Sequence, residues 1–237
     1  MSVSKTASRT PASARARLLF VDDHPIVLDG YQTMLKTQPD MELCGLATNA
    51  ADAVQMFQEQ RPDLVVMDLN LPGRGGLDVI KDILALEAAA RVLVCSMHDE
   101  MVYAERALRA GAKGYIMKDC SATVLLSAIR RVLQGGIHVS EQLTVHVLES
   151  FAGTRPRGSQ SPLGKLSDRE FEIFVLFGEG KTAKEIGAKL NLSPKTVSVH
   201  RDHIKEKMEY RTSAEMIRQA VCWVESQSAK GPQDALR

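Results

Sequence analysis

The chain has 237 residues, of which 44% are hydrophobic and 25% charged, a composition typical of a globular protein and unlike that of a disordered or fibrous chain. No segment approaches the roughly 20 apolar residues that a membrane span requires. The basic residues near the N-terminus precede an apolar run of only Leu18 to Val21, which is too short for a signal peptide. We therefore expect a cytoplasmic protein.

The cysteines and the distribution of charge say more about the kind of protein. The four cysteines are far apart and form no C-x-x-C or Cys/His cluster, so the sequence indicates neither a disulfide framework nor a zinc site. Residues 1–154 carry 15 basic and 18 acidic side chains, whereas residues 155–237 carry 15 basic and 11 acidic ones. The basic C-terminal part predicts a polyanionic partner.

Five short apolar runs alternate with amphipathic segments between Arg17 and Gln134. The predicted strands are residues 18–22, 41–46, 63–68, 91–96 and 113–117. Because parallel strands need a crossover connection, this alternation predicts an α/β fold, a doubly wound five-stranded parallel sheet with helices on both faces. Such sheets bind ligands at the carboxyl ends of their strands.

A change of composition separates this part from a second, smaller all-α part. Residues 151–165 are rich in Gly, Pro, Ser and basic side chains, which is linker chemistry, and a short helix fits residues 135–150. Two helices are then predicted from capping boxes, one formed by Ser167 with Glu170 and the other by Thr182 with Glu185.

Two more helices follow. Ser193 is a good N-cap with Pro194 at the first helical position, and a last helix is predicted from about Ser213 to Val224. The second and third helices are joined only by residues 191–192. A tight turn between two short helices is the helix-turn-helix pattern.

The third of these helices has one apolar and one polar face. Val197, Ile204 and Met208 share a face that is predicted to pack against residues 171–177 and Ile186. The opposite face suits a DNA major groove and comprises Lys195, Ser198, Val199, Asp202, His203 and Glu206. The side chains predicted to meet phosphates are Lys181, Lys184, Lys195, Thr196, Arg201 and Lys205. A generic helical interaction domain is the alternative, because two acidic side chains on the outward face repel phosphate.

Carboxylates stand at the ends of two predicted strands. Asp22 and Asp23 end the first strand and Asp68 ends the third, so all three should converge at one edge of the sheet. Unpaired carboxylates in one cleft repel one another unless a hard cation neutralises them. Mg²⁺ is the cation that prefers one or two carboxylates together with phosphoryl oxygens.

Two further strand ends supply a hydroxyl and an ammonium group, from Ser96 and Lys118. Together with Mg²⁺ they define a phosphoryl site in which Asp68 is the nucleophile that forms an acyl phosphate. A lone aspartate at a strand end is more often a helix cap, but polar groups at several strand ends together favour a functional site. His24 and His98 lie beside the site in sequence and are expected to be solvated or to support it from outside.

Five stretches carry a family resemblance: VDDHP, MDLNLPGRGGLDVI, CSMHDE, GAKGYIMKD and LSDREFEIFVLFGEGKTAKEIGAKLNLSPKTVSVHRDHIKEKM. In this order and spacing they resemble a two-component response regulator of the NarL/FixJ type, over about residues 17–224. The resemblance implies a flavodoxin-like receiver domain and a LuxR-type helix-turn-helix DNA-binding domain. The implied organisation is a disordered tail at 1–16, the receiver at 17–134, a linker at 135–162, the DNA-binding domain at 163–226 and a tail at 227–237.

The resemblance also implies the residues of a phosphorylation site. The implied Mg²⁺ site consists of Asp22, Asp23, Asp68 and the backbone carbonyl of Asn70. Asp68 is then the phosphoacceptor, Ser96 and Lys118 contact the phosphoryl group, and Tyr115 is the aromatic side chain whose rotamer changes. The implied partners are a sensor histidine kinase, promoter DNA, a second copy of the chain when phosphorylated, and RNA polymerase.

The sequence departs from the family pattern at one place, and two other functions stay open. Glu209 stands where the family commonly has the glycine that ends the recognition helix. An atypical regulator without phosphorylation is one alternative, although it has no need to keep mutually repelling carboxylates together. A Mg²⁺-dependent phosphohydrolase is the other, but Asn70 occupies the position where such enzymes commonly have the general acid.

Overall fold

A computed structural model describes residues 15–145 and 162–228. Most of the two predicted tails, most of the predicted linker and the end of the helix fitted to residues 135–150 lie outside these residues. The strands are β1 Ala16–Val21, β2 Met41–Ala47, β3 Leu64–Met67, β4 Val92–Ser96 and β5 Gly114–Met117. They form one parallel sheet in the order β2-β1-β3-β4-β5, which confirms the predicted fold class.

Five helices flank this sheet in the N-terminal domain. They are α1 Pro25–Leu35, α2 Ala50–Gln60, α3 Gly76–Leu86, α4 Glu100–Arg109 and α5 Ala122–Leu133. Side chains alternate along a strand, so each strand feeds two cores. In β1, Leu19 and Val21 belong to the core that includes α2, α3 and α4, whereas Leu18 and Phe20 belong to the core of α1 and α5.

The chain beyond α5 stays attached to the sheet. His138 bridges Gly114 in the parallel sense, and the N–H of Tyr115 donates to the carbonyl of His138 at 2.8 Å. Residues 141–145 are helical, and Leu143 within them is 1% exposed. The first part of the predicted linker therefore extends the N-terminal domain at the edge next to β5.

The C-terminal domain consists of helices. After a 3₁₀ turn at Pro162–Lys165 come α6 Asp168–Gly178, α7 Ala183–Leu190, α8 Pro194–Lys207 and α9 Ser213–Ser228. Both predicted capping boxes are present at the starts of α6 and α7. α9 runs past the predicted end at Val224, because no glycine or proline occurs before Gly231 to stop it.

The last turn of α8 ends without the glycine that the resemblance leads one to expect at position 209. Glu209 adopts the left-handed conformation with φ of 58°, and the N–H of Tyr210 donates to the carbonyl of Lys205 at 2.9 Å. This is the backbone hydrogen bond of a Schellman-type cap. The helix therefore ends at Lys207 in spite of the non-glycine residue.

Gly76 is required where the loop after β3 enters α3. A Cβ at this position would overlap the carbonyl oxygen of Asp68 and the Cα of Leu69, which are backbone atoms that cannot step aside. The close approach also carries a hydrogen bond of 2.9 Å from the N–H of Gly76 to the carbonyl of Leu69.

We predict that Gly76→Ala lowers the free energy of unfolding by about 2 kcal/mol or more, because the new methyl group forces the backbone apart. Gly30→Ala is the matched control, since nothing lies within 4 Å of its Cβ position in the middle of α1. That variant should gain up to about 1 kcal/mol from helix propensity. Urea unfolding followed by circular dichroism measures both, and equal stability of the two variants would contradict the packing argument.

Candidate functional site

The backbone ladder carries two aspartates to one edge of the sheet. The N–H of Asp68 donates to the carbonyl of Val21 at 2.9 Å, and the N–H of Asp22 donates to the carbonyl of Ala47 at 3.0 Å. Each residue thus continues the pairing of its strand by one position. Asp22 is 1% and Asp68 3% exposed, so both carboxylates are withdrawn from bulk water.

Lys118 joins the two carboxylates. Its Nζ lies 2.7 Å from Oδ2 of Asp22 and 2.7 Å from Oδ2 of Asp68. The N–H of Lys118 donates to the carbonyl of Ser96 at 2.9 Å, which continues the pairing of β5 with β4 and aims the side chain across the edge. One ammonium between two buried carboxylates leaves the pocket with an excess of negative charge.

The pKa values follow from this arrangement. Burial raises the pKa of Asp68, and the hydrogen bond from Lys118 only partly offsets it, so the pKa lies above the ordinary carboxyl value of 3.8. Burial lowers the pKa of Lys118, but its two carboxylate partners outweigh burial and raise it above 10.5. The lysine therefore stays charged, and the aspartate is held ionised at a cost.

The residues present fit a hard cation. Asp22, Asp23, His24 and Asp68 each offer one ligand atom, and these atoms all lie within 4.8 Å of one another. Oδ1 of Asp68 is buried and has no hydrogen-bond partner among the described residues. Carboxylate oxygens are the ligands that Mg²⁺ takes, so the unpartnered oxygen and the excess charge both suit that ion.

Two neighbours of this cluster complete the pocket. Nδ1 of His24 lies 2.7 Å from Asp23 and 3.2 Å from Asp22, so this histidine contacts the site instead of being only solvated. The nearby backbone of Asn70 also lowers the pKa of Asp68, against the larger effect of burial. The role of the Asn70 carbonyl as a metal ligand stays a prediction.

The loop between β4 and α4 connects the pocket to α4. Ser96 and Tyr115 are both 0% exposed. The Oγ of Ser96 accepts from the N–H of His98 at 3.2 Å, and the Tyr115 hydroxyl donates to the carbonyl of His98 at 2.8 Å. Both residues that are predicted to respond to a phosphoryl group are thus bonded to the same backbone position.

His98 in turn leads to the C-terminal domain. Its ring stacks on Tyr103 of α4 with centroids 4.4 Å apart, and Tyr103 meets Phe171 of α6 edge to face at 5.1 Å. Phe171 also contacts Trp223 of α9 at 5.6 Å. A continuous series of rings therefore runs from the pocket loop into the helical domain.

Polar contacts hold the same interface. The Arg106 guanidinium lies 4.2 Å over the Phe171 ring and is 3.0 Å from Oδ1 of Asp168. Arg106 also donates to the carbonyls of Leu163 and Leu166. Lys81 of α3 binds the other oxygen of Asp168 at 2.6 Å. No sequence pattern signals these contacts, because the partners are more than 50 residues apart.

The turn between α7 and α8 also faces the receiver. Arg169 donates to the carbonyl of Gly73 at 3.3 Å and to the carbonyl of Leu190 at 2.7 Å, so it joins the loop after β3 to the end of α7. A pocket at this junction is lined by residues 49–51 and 72–74 on the receiver side and by residues 190–192 on the helical side. The start of α8 thus lies close to the receiver.

The remaining surface of α8 matches the predicted amphipathic pattern. Val197 and Ile204 are 0% exposed in the core of the helical domain, as predicted. The predicted DNA contacts that are exposed are Lys184, Lys195, Val199, Asp202 and His203, and those that are half-buried are Lys181, Thr196, Ser198, Arg201 and Lys205. Asp202 lies 3.0 Å from Lys205, which reduces the charge that it would present to a phosphate.

Family models match both domains. Residues 18–130 match the response regulator receiver domain, and residues 164–220 match the bacterial regulatory proteins of the luxR family. With the relatives below, this shows that the chain belongs to the two-component response regulators of the NarL/FixJ type. It is a transcriptional regulator by family and not a classical enzyme.

One relative supports this assignment over both domains, and two solved structures are similar to part or most of the fold. The oxygen regulatory protein NreC of Staphylococcus carnosus is 33% identical over 209 residues, covering 86% of this chain and 96% of that one. A LuxR-family response regulator of Aurantimonas sp. SI85-9A1 is similar in structure, with 36% identity, a TM-score of 0.55, and coverage of 59% of this chain and 99% of that chain. RcsB of Salmonella typhimurium shares the fold, with a TM-score of 0.64 at 22% identity over 88% of this chain and 98% of that one.

The raised pKa of Asp68 predicts the stability of a variant. The unfolded chain releases this proton more readily than the folded one, so stability is lost as the pH rises from the ordinary carboxyl value of 3.8 through the higher folded value. Asp68→Asn removes this loss and should raise the free energy of unfolding at pH 7, on the order of 1 kcal/mol.

The gain should shrink as the pH falls through the folded pKa and vanish below 3.8, where the carboxyl group is neutral in both states. Urea unfolding without Mg²⁺ measures it, with Asp29→Asn on the exposed side of α1 as the control that should change little. A loss of stability in Asp68→Asn at pH 7 would mean that the Asp68 carboxylate is a net favourable partner of Lys118.

Proposed function

We propose that the Asp68 carboxylate accepts a phosphoryl group from a sensor histidine kinase or a small phosphodonor, and that the helical domain then binds promoter DNA. The observation that carries this proposal is the state of Asp68. It is buried, one of its oxygens is bonded to Lys118, and the other has no partner among the described residues. A buried carboxylate oxygen without a hydrogen-bond partner is a better nucleophile than one that water solvates.

The transfer is a displacement at phosphorus. An Asp68 oxygen forms a bond to the phosphorus, the P–N bond to the kinase imidazole breaks, and the leaving ring nitrogen keeps the electron pair. The product is an acyl phosphate. Lys118 stays charged and can exchange its contact with the carboxylate for one with a phosphoryl oxygen.

Asp22, Asp23, Asp68 and the Asn70 carbonyl would hold Mg²⁺, which when bound neutralises charge on the phosphoryl oxygens. The receiver itself catalyses this transfer and the slow hydrolysis in which water later takes the phosphoryl group from Asp68 and releases inorganic phosphate. Because Lys118 already lies 2.7 Å from two carboxylates, its ammonium needs no long movement to reach the phosphoryl group.

The signal leaves the pocket through the loop between β4 and α4. When the hydroxyl of Ser96 turns to the phosphoryl group, its hydrogen bond with the N–H of His98 is lost. Tyr115, which donates to the carbonyl of His98, then changes its packing. His98 stacks on Tyr103, so α4 is displaced against Phe171. The phosphorylated receiver therefore disfavours the contacts that hold the helical domain.

Release of the helical domain would give DNA room at the start of α8, because most outward side chains of α8 are already exposed but the receiver lies beside the turn before it. The turn that precedes α8 lies against the receiver, so DNA that reaches Lys195, the first predicted contact on α8, would compete with the receiver for this region. Phosphate contacts then come from the basic side chains and base contacts from the outward face of α8. A cytoplasmic location suits this role.

The related structures support DNA binding by a dimer. RcsB has been solved bound to the promoter rprA with a phosphomimetic, and as two dimers bound to two parallel DNAs. We propose the same for this chain, as a homodimer that reads two half-sites and acts on RNA polymerase.

Asp68→Asn should abolish labelling by a small acyl phosphate in the presence of Mg²⁺, because the amide is not a nucleophile toward phosphorus. Intact-mass spectrometry measures the labelled fraction. Asp29→Asn, which changes an exposed carboxylate of the same domain, should label like the parent. Undiminished labelling of Asp68→Asn would refute the site, whereas a parent chain that is not labelled at all would favour the phosphorylation-independent regulator.

Arg106→Met should raise DNA binding without a phosphodonor, because it removes the ion pair to Asp168 and two carbonyl hydrogen bonds from the interface. A loss of about 1 kcal/mol from the closed arrangement corresponds to about fivefold tighter binding. Retention of sheared genomic DNA at fixed salt is the measurement.

Arg109→Met is the matched control, since Arg109 lies on the same helix and its one ion pair with the described residues is to Glu105 at the exposed surface. It should bind DNA like the parent. If Arg106→Met and Arg109→Met both bind DNA like the parent, the contacts between the domains do not restrain DNA binding. That result would leave the phosphorylation of Asp68 unaffected.

A further inference from the structure

A second cluster of metal-ligating side chains lies in the helical domain, apart from the phosphorylation pocket. Glu170 of α6 and His200 and His203 of α8 each offer one ligand atom, and these three atoms lie within 4.8 Å of one another. We propose that this cluster binds a divalent transition-metal ion of the zinc class, in competition with the ammonium group of Lys207.

Glu170 can supply a ligand without losing its role as a cap. Its Oε2 accepts from the N–H of Ser167 at 2.8 Å and from Lys207 at 2.6 Å. Of the residues that the structure describes, Lys207 alone donates to its Oε1, at 2.9 Å. Oε1 is therefore available once Lys207 leaves. The Glu170 side chain is 5% exposed, so a cation already balances a buried carboxylate at this point.

Lys207 is a replaceable cation. Its side chain is 42% exposed at the last position of α8, so its ammonium can turn into water. The carboxylate would then keep the Ser167 hydrogen bond and exchange a monovalent cation for a divalent one. The resident ammonium thus marks a position where the protein stabilises positive charge.

The two histidines are placed to act together. They are three positions apart on α8, which puts them on neighbouring rows of the helix, and their ring centroids are 6.5 Å apart. Nδ1 of His200 is buried and has no hydrogen-bond partner within the described part of the chain. Burial also lowers the pKa of His200, which favours the neutral imidazole that binds metals.

The ligand set selects the class of ion. Two imidazoles and one carboxylate suit Zn²⁺, Cu²⁺ or Ni²⁺, whereas Mg²⁺ and Ca²⁺ prefer oxygen ligands throughout. Zinc bonds of about 2.0–2.1 Å require ligand atoms about 3.3 Å apart, so the cluster must contract by about 1.5 Å at its widest. His203 is exposed and can rotate to make this change. Three protein ligands leave the fourth position to water.

Occupancy of this site would affect the DNA-binding face. His203 belongs to the outward surface of α8, and coordination would hold its ring toward Glu170. An ion and a DNA base would then compete for the same imidazole, and each would weaken the binding of the other. This consequence depends on the proposed DNA binding, whereas ion binding itself does not.

Calorimetric titration of the full-length protein with Zn²⁺, in saturating Mg²⁺, tests the proposal. A His24→Gln background removes the imidazole next to the receiver carboxylates, so that zinc binding at that cluster is weakened. In this background His203→Gln should lower the zinc affinity at least tenfold. Lys207→Gln should raise it severalfold, because it removes the competing ammonium. Both side chains are exposed, so folding should persist, and circular dichroism checks this.

His138→Gln is the matched control, because it removes a half-buried histidine in the other domain, and it should leave the zinc affinity unchanged. The opposite signs of the two test variants distinguish this site from adventitious binding to a surface histidine. Zinc affinity that is unchanged in His203→Gln would overturn the proposal, and so would an affinity that does not rise in Lys207→Gln.

Discussion

The structure depends on one ammonium group that is shared by two buried carboxylates. Lys118 lies 2.7 Å from both Asp22 and Asp68, and neither carboxylate has enough water around it to be solvated. A single positive charge cannot balance two negative ones, so the folded state retains an electrostatic penalty. Because of this penalty, binding of a cation in the pocket is favourable. A group that gives Lys118 a different anionic partner would also relieve it.

The pocket could be predicted because parallel sheets place strand ends together, whatever the sequence between them. Asp22, Asp68, Ser96 and Lys118 each follow an apolar run that is buried on both sides, and strand order did not need to be known for their convergence at one edge. The starts of two helices could be predicted as well, because a capping box lies within four consecutive residues. Local sequence motifs of this kind do not predict which surface residues pair when they are far apart in the chain.

The domain interface is the part that the sequence did not reveal. Arg106 and Asp168 look like ordinary charged positions of two helices, and only the folded arrangement brings them together at 3.0 Å. Likewise His98 was expected to be solvated or to support the pocket from outside, and its backbone does contact Ser96, but its ring is also stacked on Tyr103 next to the helical domain, which the sequence did not indicate. The interface is made of partly exposed ion pairs and a few aromatic contacts, each of about 1 kcal/mol or less. A closure of that strength can be reversed by one charged group.

Trp223 is the single tryptophan of the chain, and it lies one ring away from the domain boundary. It contacts Phe171, which in turn touches Tyr103 and carries the Arg106 guanidinium on its face. Separation of the domains would replace those neighbours of Phe171 with water and change the polarity around the indole. The protein thus contains a native fluorophore for following the arrangement of its domains in real time, without any attached label.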